Sequence, residues 1–102
     1  MKKLTIVCDL DGVLCTEEKT YSRSLALPIR EEITTLNQLY SQGHTIVIFT
    51  ARGWAEYEMT KDWLVRNGVM YSTLICGKPI ADILIDDRSF KSLAEYEKSS
   101  SM

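Results

Sequence analysis

The sequence predicts an α/β domain in which a parallel sheet is doubly wound, with helices on both faces. Three observations lead there. The run Leu4-Thr5-Ile6-Val7-Cys8 is uncharged and rich in β-branched residues, then breaks into Asp9-Leu10-Asp11-Gly12; such a run reads as a strand covered on both faces. Apolar residues next recur at helical spacing through Ile29, Ile33, Leu36, Leu39 and Tyr40, and a second uncharged run, 45–50, follows. Strand, helix and strand make a right-handed βαβ unit, so the two strands are parallel and their carboxyl ends share an edge. A later apolar run, Ile83-Leu84-Ile85, again ends in paired acids, Asp86-Asp87.

The elements follow in order. Between the first strand and the first helix lies a polar stretch without a sustained period, 15–28, expected to be a loop that overhangs the strand ends, where Tyr21, Ser22 and Arg23 can meet substrate. Pro28 suits the first turn of the helix and Gly43 its stop. The run 45–50 is the second strand, ending at Thr50 before Ala51-Arg52-Gly53. Trp54, Tyr57, Trp63, Leu64 and Val65 mark a second helix, reaching about Asn67 and stopped by Gly68. A short strand at 72–76 leads into Gly77-Lys78-Pro79, Ile80 and Ala81 suit one helical turn, and Ile83-Leu84-Ile85 forms a fourth strand. A last helix at 89–97 runs through Phe90, Leu93, Ala94 and Tyr96, before a tail expected to fray. His44, just past Gly43, is expected to be a capping or surface residue.

Bulk composition narrows the function classes. With 102 residues, 45% hydrophobic and 25% charged, the chain fits one ordinary globular domain, 1–102, able to build a core without disulfides. A net charge of -2 provides no basic footprint, which argues weakly against a nucleic-acid partner. Cys8, Cys15 and Cys76 show no CxxC spacing and read as reduced thiols. No stretch is apolar enough for a signal peptide or a membrane span, so the expected location is cytoplasmic, with no membrane partner.

The strand exits carry the chemistry. Ligands of open α/β sheets bind outside the carboxyl ends of the strands, and those ends present Asp9 and Asp11, Thr50, Lys78, and Asp86 with Asp87. Clustered carboxylates suit a hard divalent cation such as Mg²⁺. Attack on a phosphomonoester needs a nucleophile, a proton donor for the leaving alcohol, and positive charge on the phosphoryl oxygens. Asp9 can attack, Asp11 can move the proton, an acid pair can hold Mg²⁺, Thr50 can donate a hydrogen bond and Lys78 adds fixed positive charge. Arg52 is a candidate for substrate selection because its planar fork suits a second carboxylate or phosphate, and Trp54 is a candidate substrate contact beside it.

In order as well as kind, these residues resemble the haloacid dehalogenase superfamily of phosphohydrolases. Asp9-Leu10-Asp11-Gly12-Val13 looks like its first motif, Thr50 like the second, Lys78 like the third and Asp86-Asp87 like the acidic fourth. The resemblance implies a Rossmann-like core with strand order 3-2-1-4, and an aspartyl-phosphate intermediate on Asp9 with Asp11 as general acid and base. It also implies phosphate bound by Thr50, Ala51 and Lys78, and Mg²⁺ held by Asp9, Asp86 and the main-chain carbonyl of Asp11, with Asp87 assisting. The gaps between motifs are too short for the cap domain common in the family, so the chain resembles a minimal, capless member. The 15–27 loop or a neighbouring subunit is then expected to close the site.

Tyr40, Gly43-His44, Thr50-Ala51-Arg52-Gly53, the stretch from Glu56 to Trp63 and Asp86-Asp87-Arg88 look like small phosphatases associated with bacterial surface-polysaccharide synthesis. The expected substrate is therefore a small sugar, polyol or nucleotide-sugar phosphate. The phosphatase half of polynucleotide kinase-phosphatase is similar too, which keeps a nucleic-acid 3'-phosphate as an alternative. A receiver-like signalling module uses the same kit of acids, Thr and Lys around Mg²⁺. Its phosphorylated acid closes the third strand, however, whereas here that strand ends at Cys76-Gly77-Lys78 without one.

Overall fold

The structure, a computed structural model, describes residues 2–86, 88 and 92–100, with backbone alone at 96, 99 and 100. Strand β1 (Thr5–Cys8) is followed by a 3-10 segment (Thr20–Leu25), helix α1 (Arg30–Ser41) and strand β2 (Thr45–Phe49). A 3-10 turn (Trp54–Glu56) then leads into helix α2 (Tyr57–Arg66), strand β3 (Thr73–Ile75) and helix α3 (Leu93–Ser100).

β-branched residues fill the strands as their pleated, crowded surface favours. β1 runs parallel to β2, with Thr5 opposite Thr45 and Cys8 opposite Ile48. β2 runs parallel to β3, with Phe49 opposite Ile75. The sheet order is β1-β2-β3, and because all three strands are parallel their carboxyl ends open on one edge. This is a small α/β domain on a parallel sheet, as its sequence predicts.

The helices bury one stripe each. α1 turns Ile33 and Leu36 inward, and α2 turns Thr60, Trp63 and Leu64. Val65 follows the apolar run of α2 in sequence but lies 67% exposed, because consecutive residues on a helix point about 100° apart and cannot all share a stripe. These side chains meet Ile46, Ile48, Leu74 and, from the turn after β1, Leu10 and Leu14 in one core. At roughly 1.5–3 kcal/mol for each fully buried large aliphatic side chain, this cluster is the main force holding the sheet to its helices.

Some local expectations change. Pro28 lies outside α1, in a bridge to Cys15, and the helix begins at Arg30 after Ile29. His44 caps α1 through its backbone, its N–H donating to the Leu39 carbonyl at 3.2 Å; its side chain is not at the surface but buried, and Nδ1 accepts the Leu4 N–H at 3.0 Å. The imidazole thereby satisfies a backbone donor just before β1. Ile80 and Ala81 form no helical turn. The last helix starts at Leu93 rather than 89, and Lys98, expected to fray, lies within it. Phe90 is outside the described residues.

Ile83-Leu84-Ile85 is not among the sheet strands, and Leu84 is 65% exposed. Among the described residues β1 is consequently a border strand, and its Val7 is 60% exposed. Beside it an apolar groove of about 320 Å³ is lined by Ile6, Val7 and Val13 together with Leu36 and Leu39 of α1. No helix among the described residues is long and apolar enough to cross a membrane.

Candidate active site

β1 ends at Cys8, and the chain turns at once. Leu10 is fully buried beneath that turn, and its carbonyl accepts from the N–H groups of Val13, Leu14 and Cys15 at 3.1, 2.9 and 3.3 Å. Gly12 sits at φ 84°, a left-handed conformation that a Cβ would strain. Because Leu10 is anchored inward, its two neighbours, Asp9 and Asp11, are presented at the strand exit. Asp9 Oδ1 accepts the Leu10 N–H at 2.8 Å.

The exits of β2 and β3 are laced together. Thr50 N–H donates to the Ile75 carbonyl at 2.9 Å, Lys78 N–H to the Thr50 carbonyl at 2.9 Å, and Gly77 N–H to the Arg52 carbonyl at 2.8 Å. This lacing carries Lys78 to Asp9, whose Oδ2 lies 3.1 Å from the Lys78 ammonium. The same ammonium lies over the Phe49 ring at 6.0 Å, within cation–π range.

A cleft of about 390 Å³ opens at this edge, walled by Asp9, Asp11, Ala51, Arg52 and the segment from Lys78 to Ala81. Glu17 and Arg23 form its other wall. They come from the loop after β1, whose ends are tied together. Thr16 N–H donates to the Leu27 carbonyl, Leu27 N–H to Thr16 Oγ1, and the Trp63 indole N–H to the Ala26 carbonyl at 2.8 Å. The loop therefore does overhang the strand ends.

Arg52 has a different role from the substrate-selecting one its sequence position suggests. Its side chain is wholly buried, with Nε donating to Asp11 Oδ2 at 3.0 Å and Nη2 to Asp11 Oδ1 at 2.8 Å, while Nη1 donates to Thr60 Oγ1 at 3.0 Å. A buried guanidinium must be paired, and the nearest partner across the strand exits is Asp11. Burial alone would lower the Arg52 pKa, but the hydrogen bonds and charge of Asp11 outweigh it and the net displacement is upward. The fork is thus spent on orienting Asp11.

Thr50 is fully buried and stands outside the cleft wall, its Oγ1 accepting the Arg52 N–H at 3.1 Å. Ala51 is at the wall. Trp54 stacks on Tyr57 at 5.7 Å, and its indole edge sits against Gly77, where an added Cβ would lie 3.0 Å from Nε1. Its ring is largely exposed beside the cleft rather than lining it. Asp86 does not line the cleft either, and Asp87 lies outside the described residues. Among the described residues no group of three or more His, Cys, Asp or Glu is gathered as a metal site.

Two contributors were not singled out from sequence. Glu56 receives Arg23 Nη1 on both carboxylate oxygens, each at 2.8 Å, and reaches back to the Gly53 N–H at 3.1 Å. An acid three residues after the start of a helical turn is the available signal for that reach-back. Glu17 had none. The cysteines are free, and Cys15 lies 3.7 Å from Asp11 Oδ1 and 3.8 Å from Arg52 Nη2. Burial, reinforced by Asp11, pushes its thiol up to about 12.

No protein-family model and no curated protein matches the chain. Among solved structures it is similar to a Vibrio cholerae protein known from its crystal structure, at 26% identity and a TM-score of 0.67, over 99% of this chain and 100% of that one. It is also similar to a chain of the Pnkp1/Rnl/Hen1 complex, at 22% identity and a TM-score of 0.67, over 86% of this chain and 32% of that one. A chain of the Pnkp1/Rnl/Hen1 RNA repair complex matches at 20% identity with the same TM-score, over 97% and 32%. At these identities the likenesses show a shared small α/β fold, consistent with a Rossmann-like one.

Proposed function

We propose that the chain is a Mg²⁺-dependent phosphomonoester hydrolase of the haloacid dehalogenase type, acting on a small phosphorylated metabolite through an aspartyl phosphate. The observation that carries this reading is the pair Asp9 and Asp11 leaving β1 into a cleft, with Lys78 3.1 Å from Asp9 and the Arg52 fork on Asp11. Asp9 attacks phosphorus, the bond to the leaving alcohol breaks, and Asp11 delivers its proton to the departing oxygen. Asp11 then takes a proton from water, whose oxygen attacks the same phosphorus, freeing phosphate and restoring Asp9. Arg52 holds Asp11 in place without saturating it, since each carboxylate oxygen has two lone pairs.

Mg²⁺ is bound through one or two carboxylates plus substrate phosphate rather than a full protein cage, and the all-oxygen donors Asp9 and Asp11 at the cleft fit that habit. Asp86 would join them once Ile83-Leu84-Ile85 lies beside β1 as a fourth strand, giving the order 3-2-1-4; the apolar groove along β1 supports this placement. Bound there, the cation neutralises charge on the phosphoryl oxygens. Lys78 and the Ala51 main chain meet the phosphate, and Thr50 shapes the turn that presents them. A sugar, polyol or nucleotide-sugar phosphate suits the net charge of -2 better than a polynucleotide does. A neighbouring copy covering the open cleft remains part of the proposal.

The test is phosphate release from sugar and polyol phosphates, nucleotides and a 3'-phosphorylated oligonucleotide, with Mg²⁺ and with chelator, on wild type and Asp9→Asn. The reading expects Mg²⁺-dependent release that Asp9→Asn abolishes while its circular dichroism and melting stay native. Turnover by Asp9→Asn would sink the mechanism. Preference for the oligonucleotide would move the substrate to nucleic-acid ends, and a long-lived phospho-Asp without turnover would favour the receiver-like module.

A further inference from the structure

We infer that Arg23 is a specificity-determining residue that reads a second anionic group on the substrate, a phosphate or carboxylate carried by the leaving alcohol. This rests on the phosphomonoesterase reading. Among the described residues three cations stand at the cleft, and two are engaged with its acids: Arg52 with Asp11 through Nε and Nη2, and Lys78 with Asp9. Arg23 is placed differently. It reaches the cleft from the loop rather than from a strand end, where it would meet the part of a substrate that does not react.

Its pairing is incomplete. Glu56 engages a single nitrogen, Nη1, with both carboxylate oxygens at 2.8 Å. Nε is buried and has no hydrogen-bond partner among the described residues. A buried donor left unpaired is costly and calls for an explanation. An ion pair built only to fasten the loop would spend the planar fork on the carboxylate, as Arg52 does with Asp11. Glu56 instead fixes the guanidinium from one side while itself held by the Gly53 N–H at 3.1 Å, tying Arg23 to the exit of β2. What remains is a guanidinium held from one side at the cleft wall, whose planar fork suits a planar or tetrahedral oxyanion.

Glu17, the other acid or base that the loop brings to the cleft, carries the opposite charge. A second anion therefore gains only where it meets Arg23, so position along the substrate matters as well as charge.

Calorimetric binding to the full chain would use fructose 6-phosphate, fructose 1,6-bisphosphate and 6-phosphogluconate, with Ca²⁺ as the hard, oxygen-seeking cation. The second anion is expected to tighten binding at least tenfold. That ratio should collapse toward one in Arg23→Gln and fall partly in Arg23→Lys, which keeps charge without the fork, while the melting temperature reports whether either variant is folded. Gain by the bisphosphate alone assigns the pocket to phosphate; gain by 6-phosphogluconate as well assigns it to anions generally. Equal affinity for all three, binding of none, or a ratio that survives Arg23→Gln in folded protein overturns the inference. Phosphate release with Mg²⁺ separates the two claims. Discrimination without release removes the phosphatase reading and leaves the Arg23 site, whereas release without discrimination does the reverse.

Discussion

Replacing Arg52 by Met isolates what the buried guanidinium contributes. Met fills a similar length of core and supplies no donors, so the change leaves Asp11 without the bonds at 3.0 and 2.8 Å and Thr60 without its bond at 3.0 Å. Removing one partner of a buried pair costs roughly 3–5 kcal/mol, because the other charge stays behind uncompensated. The Asp11 side chain is 17% exposed and regains some water, which places the expected loss at the lower end, about 3 kcal/mol. With a urea slope of about 1.5 kcal/mol/M, the unfolding midpoint should fall by about 2 M. Asp11→Asn in the same background removes the stranded charge, so the double variant should be more stable than the sum of the two single losses implies. A midpoint shift under about 0.5 M, or strict additivity in the cycle, would refute the view that Arg52 and Asp11 are one buried unit.

Other outcomes follow from the same geometry. Cys15 should resist alkylation at pH 8 in the folded protein and react on unfolding, as mass spectrometry of labelled peptides would read. Because its thiol is raised to about 12, from an ordinary value near 9.0, the unfolded chain releases that proton first. Stability should therefore fall between those two pH values, by up to about 1.4 kcal/mol per pH unit from this group, and Cys15→Ser should flatten the slope. Gly77→Ala should destabilise by about 1 kcal/mol or more, since its φ is 80° and the new Cβ meets the Trp54 indole, and it should shift tryptophan emission. His44→Ala should cost about 1 kcal/mol in urea unfolding by stranding the Leu4 N–H.

What the sequence disclosed depended on the range of the signal. The two acids at the end of β1, the helix stripes of Ile33, Leu36, Trp63 and Leu64, and Lys78 just after β3 were legible because strand exits and helical period are local patterns. Arg52 was legible as important but not as Asp11's partner. Which carboxylate a fork meets depends on two chain segments 41 residues apart. His44 was legible as a cap from the glycine before it, but the role of its imidazole was not, since its partner, the Leu4 N–H, belongs to a segment 40 residues away. Pro28 looked like a helix starter until the bridge to Cys15 claimed it. Ile83-Leu84-Ile85 carries the composition of a strand, but composition does not supply the neighbour that makes one.

The stretch between Thr16 and Leu27 closes on itself at its base, and the indole of Trp63 clips it to the helix beneath. Everything it adds to the cleft, Glu17 and Arg23, lies inside that closure, while Asp9, Asp11, Ala51, Arg52 and Lys78 stand on the frame outside it. The two halves can therefore diverge separately. Descendants of one ancestral frame could exchange this noose for another of different length or charge, acquiring new binding preferences without altering how Asp9 and Asp11 are held, provided the residues at its knot are kept.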